Sequence, residues 1–164
     1  MTPQKQVKAI EPWLEGVEVA INRFGKTRTS LLSSLEAIQD NLMYIPEKAA
    51  DYLSERYRLP KAEIYSVMSF YGMLTIEKRG KYVIRICDSL SCHINKSFDL
   101  EKYIWGILNI KPGQTTPDNK FTLEIVDCLG LCDQAPAMMV NRTIYGQLDV
   151  SKLMQILRQL QVKG

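Results

Sequence analysis

The chain has 164 residues, 46% of them apolar and 24% charged, with a formal net charge of +3. That length supports one substantial core or two small ones, and no apolar run approaches the about 18 residues that a membrane span needs. Residues 1–79 carry 11 basic and 10 acidic side chains and residues 80–164 carry 10 and 8, so the charge arithmetic forces no basic face and nucleic acid is not the expected partner.

The opening "MTPQKQVKAIEPWLEG" lacks the apolar centre of a secretory signal, and the expectation is a cytoplasmic protein, at most peripheral to a membrane complex. Pro12 suits a first helical position, and Leu14, Val17, Ile21 and Phe24 recur at helical spacing until Gly25. Val7 and Ile10 extend the stripe backwards, but Pro12 breaks or kinks a helix that crosses it. A second helix is predicted over 29–42, with Leu31, Leu32, Leu35, Ile38 and Leu42 on one side. "YIPEKAADYLSERYRLP" gives a third over 46–57 that buries Ala49, Ala50, Leu53 and Tyr57. Pro60 opens a fourth with Ile64, Val67 and Met68 inward. Short connections favour a helical bundle. "FYGMLTIEKRGKY" then reads as a linker, because periodicity stops and Gly72 and Gly80 appear. Its "FYGML" suits either a protein interface or a fold-back that pins the bundle on the following domain.

From Lys81 the pattern changes. "KYVIRICD" is alternating and β-branched, a strand over 82–87. "FDLEKYIWGILNI" is helical, with Leu100, Tyr103, Ile104, Ile107 and Leu108 on one face, and "KPGQTTPDN" is a loop. "KFTLEIVDC" is a second strand ending at Cys128, with Cys132 in the loop after it. "PAMMVNRTIYGQLD" reads as two strands joined near Asn141 and Arg142, and Asp149 caps a last helix that buries Leu153, Ile156, Leu157 and Leu160. The expected architecture is an all-α helical bundle over 1–79 followed by an α/β domain over 80–164.

A strand, a helical crossover and a second strand make a βαβ unit, whose two strands run parallel. Their C-terminal ends therefore share one edge of the sheet. Cys87 ends the first strand and Cys92 follows in its loop, while Cys128 and Cys132 occupy the corresponding place on the second. The 35 residues between Cys92 and Cys128 are spent on the crossover. Topology thus brings all four cysteines to one rim, where open parallel sheets place ligand sites.

In a reducing compartment such thiols are more often free, metal-bound or catalytic than disulfide-bonded. The spacings, C-x4-C and C-x3-C, do not exclude zinc. The first also occurs in plant-type iron–sulfur proteins, and Gly130 lets backbone N–H groups approach a cluster sulfur closely. Four buried, unliganded cysteines are the plainest alternative. Neither pair has the C-x-x-C spacing of a thioredoxin dithiol. His93, beside Cys92, reads as an outer neighbour or an exposed residue.

The two cysteine pairs, together with "TTPDNKFTLEIVDCLGLCDQAPAMMVN" and "YIPEKAADYLSERYRLPKAEIYSVMSFYGML", resemble the thioredoxin-like 2Fe–2S ferredoxin family. That family includes the small iron–sulfur subunits of NADH:quinone oxidoreductase (complex I) and of NAD-linked hydrogenases and formate dehydrogenases. The resemblance implies a thioredoxin-like cluster domain behind the bundle, one 2Fe–2S cluster held by Cys87, Cys92, Cys128 and Cys132, and a one-electron role. It implies FMN and NAD(H) on a flavin- and NADH-binding partner subunit, with further iron–sulfur subunits in the same complex. The chain carries neither G-x-G-x-x-G nor a P-loop, so binding of NADH by this chain itself is not expected. One departure stands out. The family commonly has glycine four residues after the second cysteine, where this chain has Lys96, a cation that near the cluster would favour the reduced state. Two other classes stay open: a zinc-stabilised adaptor, and an iron–sulfur regulator reading DNA through the helix-turn-helix-like "AADYLSERYRLPKAEIYSVMSF". Against the second, the candidate recognition helix offers Glu63, Ile64, Tyr65, Val67 and Met68, which suit packing rather than base contacts.

Overall fold

The computed structural model describes residues 11–162, and Val7 and Ile10 lie outside them. The chain divides into two compact units, 1–78 and 79–164. The described part of the first is helical: α1 (Leu14–Phe24), α2 (Arg28–Leu42), α3 (Glu47–Tyr57) and α4 (Lys61–Phe70). Pro12 stands two residues ahead of α1 rather than inside it, because Trp13 takes the N-cap and is itself buried, its ring edge-on to Tyr52 at 5.4 Å. Gly25 ends α1 at φ +72°, a backbone that glycine adopts without a Cβ clash, and its N–H reaches Ile21 O at 2.8 Å. Thr27 and Ser30 form a capping box that starts α2.

The bundle closes on the apolar stripes that helical periodicity marks. Val17, Leu35, Ile38, Leu53 and Ile64 are fully buried. Val67 is only partly so, packed at the edge of this core. Two polar groups enter it with partners, as buried groups must: the Tyr57 hydroxyl lies 2.8 Å from Ser34 Oγ and 3.1 Å from Ser30 Oγ. Arg56 on α3 donates to both oxygens of Glu18 on α1, and the Tyr52 hydroxyl donates to the same carboxylate. The segment after α4 is less of a linker than its composition suggests. Leu74 is buried in the helical core, Thr75 N–H donates to Gln39 Oε1 at 2.8 Å, and Ile45 N–H donates to Thr75 O at 2.7 Å.

The second unit runs β1 (Tyr82–Cys87), α5 (Leu90–Ile94), α6 (Ser97–Leu108), β2 (Phe121–Val126), β3 (Met138–Val140), β4 (Thr143–Tyr145) and α7 (Val150–Val162). The strands make one sheet in the order β2-β1-β3-β4. β1 and β2 pair in parallel, in register from Tyr82 opposite Phe121 to Cys87 opposite Val126. β3 is antiparallel to β1 and to β4. The β3–β4 turn lacks glycine, but Asn141 takes its positive φ of 54°, accepts from Val83 N–H through Oδ1 at 2.8 Å and donates to Lys81 O through Nδ2. Asp149 caps α7 through Lys152 N–H at 2.7 Å.

Alternation along the strands sends Ile84, Ile86, Leu123 and Met138 into a core with Leu100, Ile104 and Leu108 of α6 and Leu153 and Leu157 of α7. Two residues assigned by sequence to the buried face of α6, Tyr103 and Ile107, are exposed. The core takes the 100–104–108 row, and 103 and 107 fall on the next row round the helix.

Gly80 enters β1 at a close approach of backbones. A Cβ there would stand 2.8 Å from Phe121 N and 2.9 Å from Lys120 C, atoms that cannot step aside. Gly80→Ala is expected to destabilise the second unit by about 1–3 kcal/mol, whereas Gly72→Ala, with open space around it, stays within about 0.5 kcal/mol of the parent. Denaturant unfolding of the two variants checks the contrast.

Candidate metal centre

The parallel register puts the exits of β1 and β2 side by side. Beyond them the two chain segments stay together: Asp88 N–H donates to Val126 O at 2.9 Å, and the Cys87 thiol lies 3.9 Å from Asp127 O. The ladder ends at Val126, so Cys128 is not the last residue of its strand, as the sequence suggests, but stands two residues past it and is exposed. Cys92 is not in an open loop either. It lies on α5, a single turn too short to show helical periodicity, whose N-cap is Ser89.

Cys87 and Cys92 are each 1% exposed and pack with Ala137, under the partly buried Leu129, Leu131 and Ala135 of the second loop. Cys128 and Cys132 are exposed, Cys132 opening a 3-10 turn over 132–134. The half of the site on the first loop is thus dry, and the half on the second faces solvent. Among the described residues no three Cys, His, Asp or Glu side chains stand as a group that could hold a metal ion. The fold joins the two loops without drawing all four thiols onto one point.

Around the buried pair, N–H groups point at sulfur. Burial resists ionisation of Cys87, but the Ser89 hydroxyl at 3.3 Å, the N–H groups of Ser89 and Leu129 and the Cys92 thiol outweigh it and hold Cys87 below the ordinary cysteine value. Burial pushes Cys92 up, and its neighbour Cys87 adds to that, against the opposing Ala137 N–H. In the exposed loop Gly130 N–H lies 3.2 Å from Cys128 Sγ, with Gly130 at φ +73°. The second loop is tied down behind: Gln147 N–H donates to Gln134 O at 2.6 Å, Leu148 N–H donates to Pro136 O at 3.2 Å, and the Ala135–Pro136 peptide is cis.

The donor chemistry fits a dinuclear iron–sulfur group. Four thiols come in two pairs, two of them already in contact. Backbone N–H groups converge on sulfur, and leucine and alanine side chains cover the buried pair. His93 points elsewhere: it is exposed, with Nδ1 3.5 Å from Asp88. Lys96 is exposed and left-handed, at φ +69°, where it caps α6. That conformation explains why glycine is favourable at the position. Lys96 also lines a cavity of about 630 Å³ with Asp99, Lys102, Tyr103 and Asp149, and none of the four cysteines lines it.

Sequence reasoning missed the Arg85–Glu124 ion pair beneath Cys87, with Arg85 Nε 2.8 Å from Glu124 Oε2. The readable signal was opposite charge at matching places in two strands expected to pair.

Comparison with known proteins places these features. The family model described as thioredoxin-like 2Fe–2S ferredoxin matches residues 17–161. One relative, from the NADH-quinone oxidoreductase of Aquifex aeolicus, is 42% identical over 125 residues, covering 76% of this chain and 78% of that one. The relative of the same name from Escherichia coli K12 is 31% identical over 145 residues, covering 88% and 87%. Both are named as subunits of that oxidoreductase. Among solved structures, an NAD+-reducing NiFe hydrogenase in its air-oxidised state matches with a TM-score of 0.70 and 28% identity over 79% of this chain. This chain spans only 23% of that hydrogenase chain.

The burial contrast makes a prediction for the cluster-free protein. Iodoacetamide should modify Cys128 and Cys132 at least about tenfold faster than Cys87 and Cys92, the difference vanishing in denaturant. Peptide mass spectrometry over a time course reads it, and equal rates in the folded chain would contradict the buried pair.

Proposed function

The chain belongs to the thioredoxin-like 2Fe–2S ferredoxin family, and from that premise we propose that it is the one-electron-carrying subunit of a multisubunit NAD(H)-linked oxidoreductase. The observation that carries this reading is the meeting of the two cysteine loops at the common C-terminal edge of β1 and β2, with N–H groups turned towards sulfur. Cys87, Cys92, Cys128 and Cys132 would hold the cluster through their thiolates. When bound, the cluster takes up and releases one electron at a time.

The chain's own residues do the rest. Leu129, Leu131 and Ala135 keep water from the buried pair, while the N–H groups of Ser89, Leu129 and Ala137 offset the cost of holding thiolates away from it. The exposed second loop is the side from which electrons enter and leave.

A two-electron hydride donor needs a different cofactor to split its electrons, and the sequence offers no dinucleotide fingerprint of its own. The partner is therefore a subunit holding FMN and NAD(H), in company with further iron–sulfur subunits. The relatives support this assignment: their names place them in NADH-quinone oxidoreductases and an NAD+-reducing hydrogenase. Phe70, 81% exposed, and Tyr71, Met73 and Ile76 beside it form an apolar strip suited to docking that partner. No helix among the described residues is long and apolar enough to cross a membrane.

Anaerobic reconstitution of the chain with iron and sulfide is expected to give a red-brown protein with two irons and two inorganic sulfides. Serine at Cys87 or Cys128 should remove or alter its visible spectrum, and the loaded chain alone should oxidise no NADH. A colourless protein that retains zinc would instead support a structural adaptor.

A further inference from the structure

Alternation along β1 puts Val83, Arg85 and Cys87 on one face of the sheet and Ile84 and Ile86 on the other. Arg85 thus lies directly below a cluster cysteine on the same strand and the same face, about 7 Å away along the backbone. Its side chain is 7% exposed. Across the register its partner is Glu124, whose Oε2 accepts from Arg85 Nε at 2.8 Å. The other oxygen of Glu124 accepts from Arg79 Nε at 2.7 Å. One carboxylate thus bridges two guanidinium groups, which holds Arg85 and Glu124 in place side by side on this face.

A buried charge is screened far less by water and salt than an exposed one. An oxidised cluster with its four thiolates carries a formal charge of −2, and reduction adds one electron and no proton. A fixed positive charge therefore stabilises the reduced state more than the oxidised one, and a fixed negative charge does the opposite. Resting on the reading that the four cysteines hold a 2Fe–2S cluster, we propose that the Arg85–Glu124 pair sets the cluster's reduction potential. Arg85 raises it, and Glu124 limits how far. Both are positioning residues that act through the field, since neither is a ligand.

The test is a redox titration of the cluster-loaded chain, with dithionite as electron source and mediators present, read by bleaching of the visible absorption. Arg85→Gln is expected to lower the reduced-to-oxidised ratio at fixed ambient potential by on the order of tenfold, which for one electron is about 59 mV. Glu124→Gln is expected to move it the other way. Arg85→Lys, which keeps the charge but loses the planar fork, is expected to stay near the parent potential even where it lowers thermal stability. If Arg85→Gln does not fold, Glu124→Gln and Arg85→Lys carry the test. Shifts of the same sign for Arg85→Gln and Glu124→Gln would mean distortion rather than charge, and that result, or no shift in any variant, overturns the proposal. A parent chain that takes up no cluster at all overturns the reading beneath it, a result distinct from an indifferent potential.

Discussion

The parallel pairing of β1 with β2 is the constraint on which the rest of the second unit depends. Antiparallel neighbours would send the two cysteine pairs to opposite ends of the sheet. Parallel ones need a crossover, and the crossover needs a face to pack on. α6 meets that need by laying Leu100, Ile104 and Leu108 over Ile84, Ile86 and Leu123. The same alternation that fills the core turns Cys87 and Arg85 to the other side. A slip of one residue in register would turn every such side chain to the wrong face, so core packing and the placement of the site are one decision.

The site divides into a buried and an exposed half, and the two halves answer different physical demands. An anionic group is costly to hold in an apolar environment unless hydrogen bonds to it repay the lost water. At Cys87 and Cys92 that compensation comes from backbone N–H groups and the Ser89 hydroxyl, which need no charged side chain and survive most sequence change. With a cluster held here, electron exchange would need the opposite, a short path to the surface. Cys128 and Cys132 lie on such a surface, on a loop fixed behind by Gln147 and Leu148. Rigidity at the back of that loop lets its front stay open without losing its shape.

Much of this was legible in the sequence, because it was written as periodicity. The stripes of the four N-terminal helices, the strand at 82–87, the Asp149 cap and the parallel βαβ logic all depend on residue spacing over ten or more positions. What escaped was shorter or lay in the backbone. α5 is five residues long, too few to show a repeat, and only Ser89 ahead of Cys92 hints at it. The ladder of β2 stops at Val126, two residues short of Cys128, which no local pattern records. Tyr103 and Ile107 failed for a different reason: an apolar helix such as α6 offers more candidate rows than one sheet can cover. The cysteine loops were placed together by topology alone, while the unequal burial of the two pairs needed coordinates.

Two cations close in sequence to the first cysteine pair, Lys96 and Arg85, differ most in burial. Lys96 follows Cys92 by four residues and stands out as a departure from a common glycine. Its side chain is exposed, beside a cavity that also holds Asp99 and Asp149, so water and nearby carboxylates dilute its field. Its backbone at φ +69° makes it a conformational substitution first, carrying the cost of about 1 kcal/mol that a side chain adds in the left-handed region. Arg85 is easily passed over, because one arginine inside an apolar strand looks like an interruption. Yet it is almost wholly buried and locked to Glu124 on the face that Cys87 shares. At a given distance, a charge with less water around it acts more strongly on a neighbouring electron. With the four cysteines as cluster ligands, the buried Arg85–Glu124 pair within the sheet is the charge expected to act on the cluster from beneath Cys87.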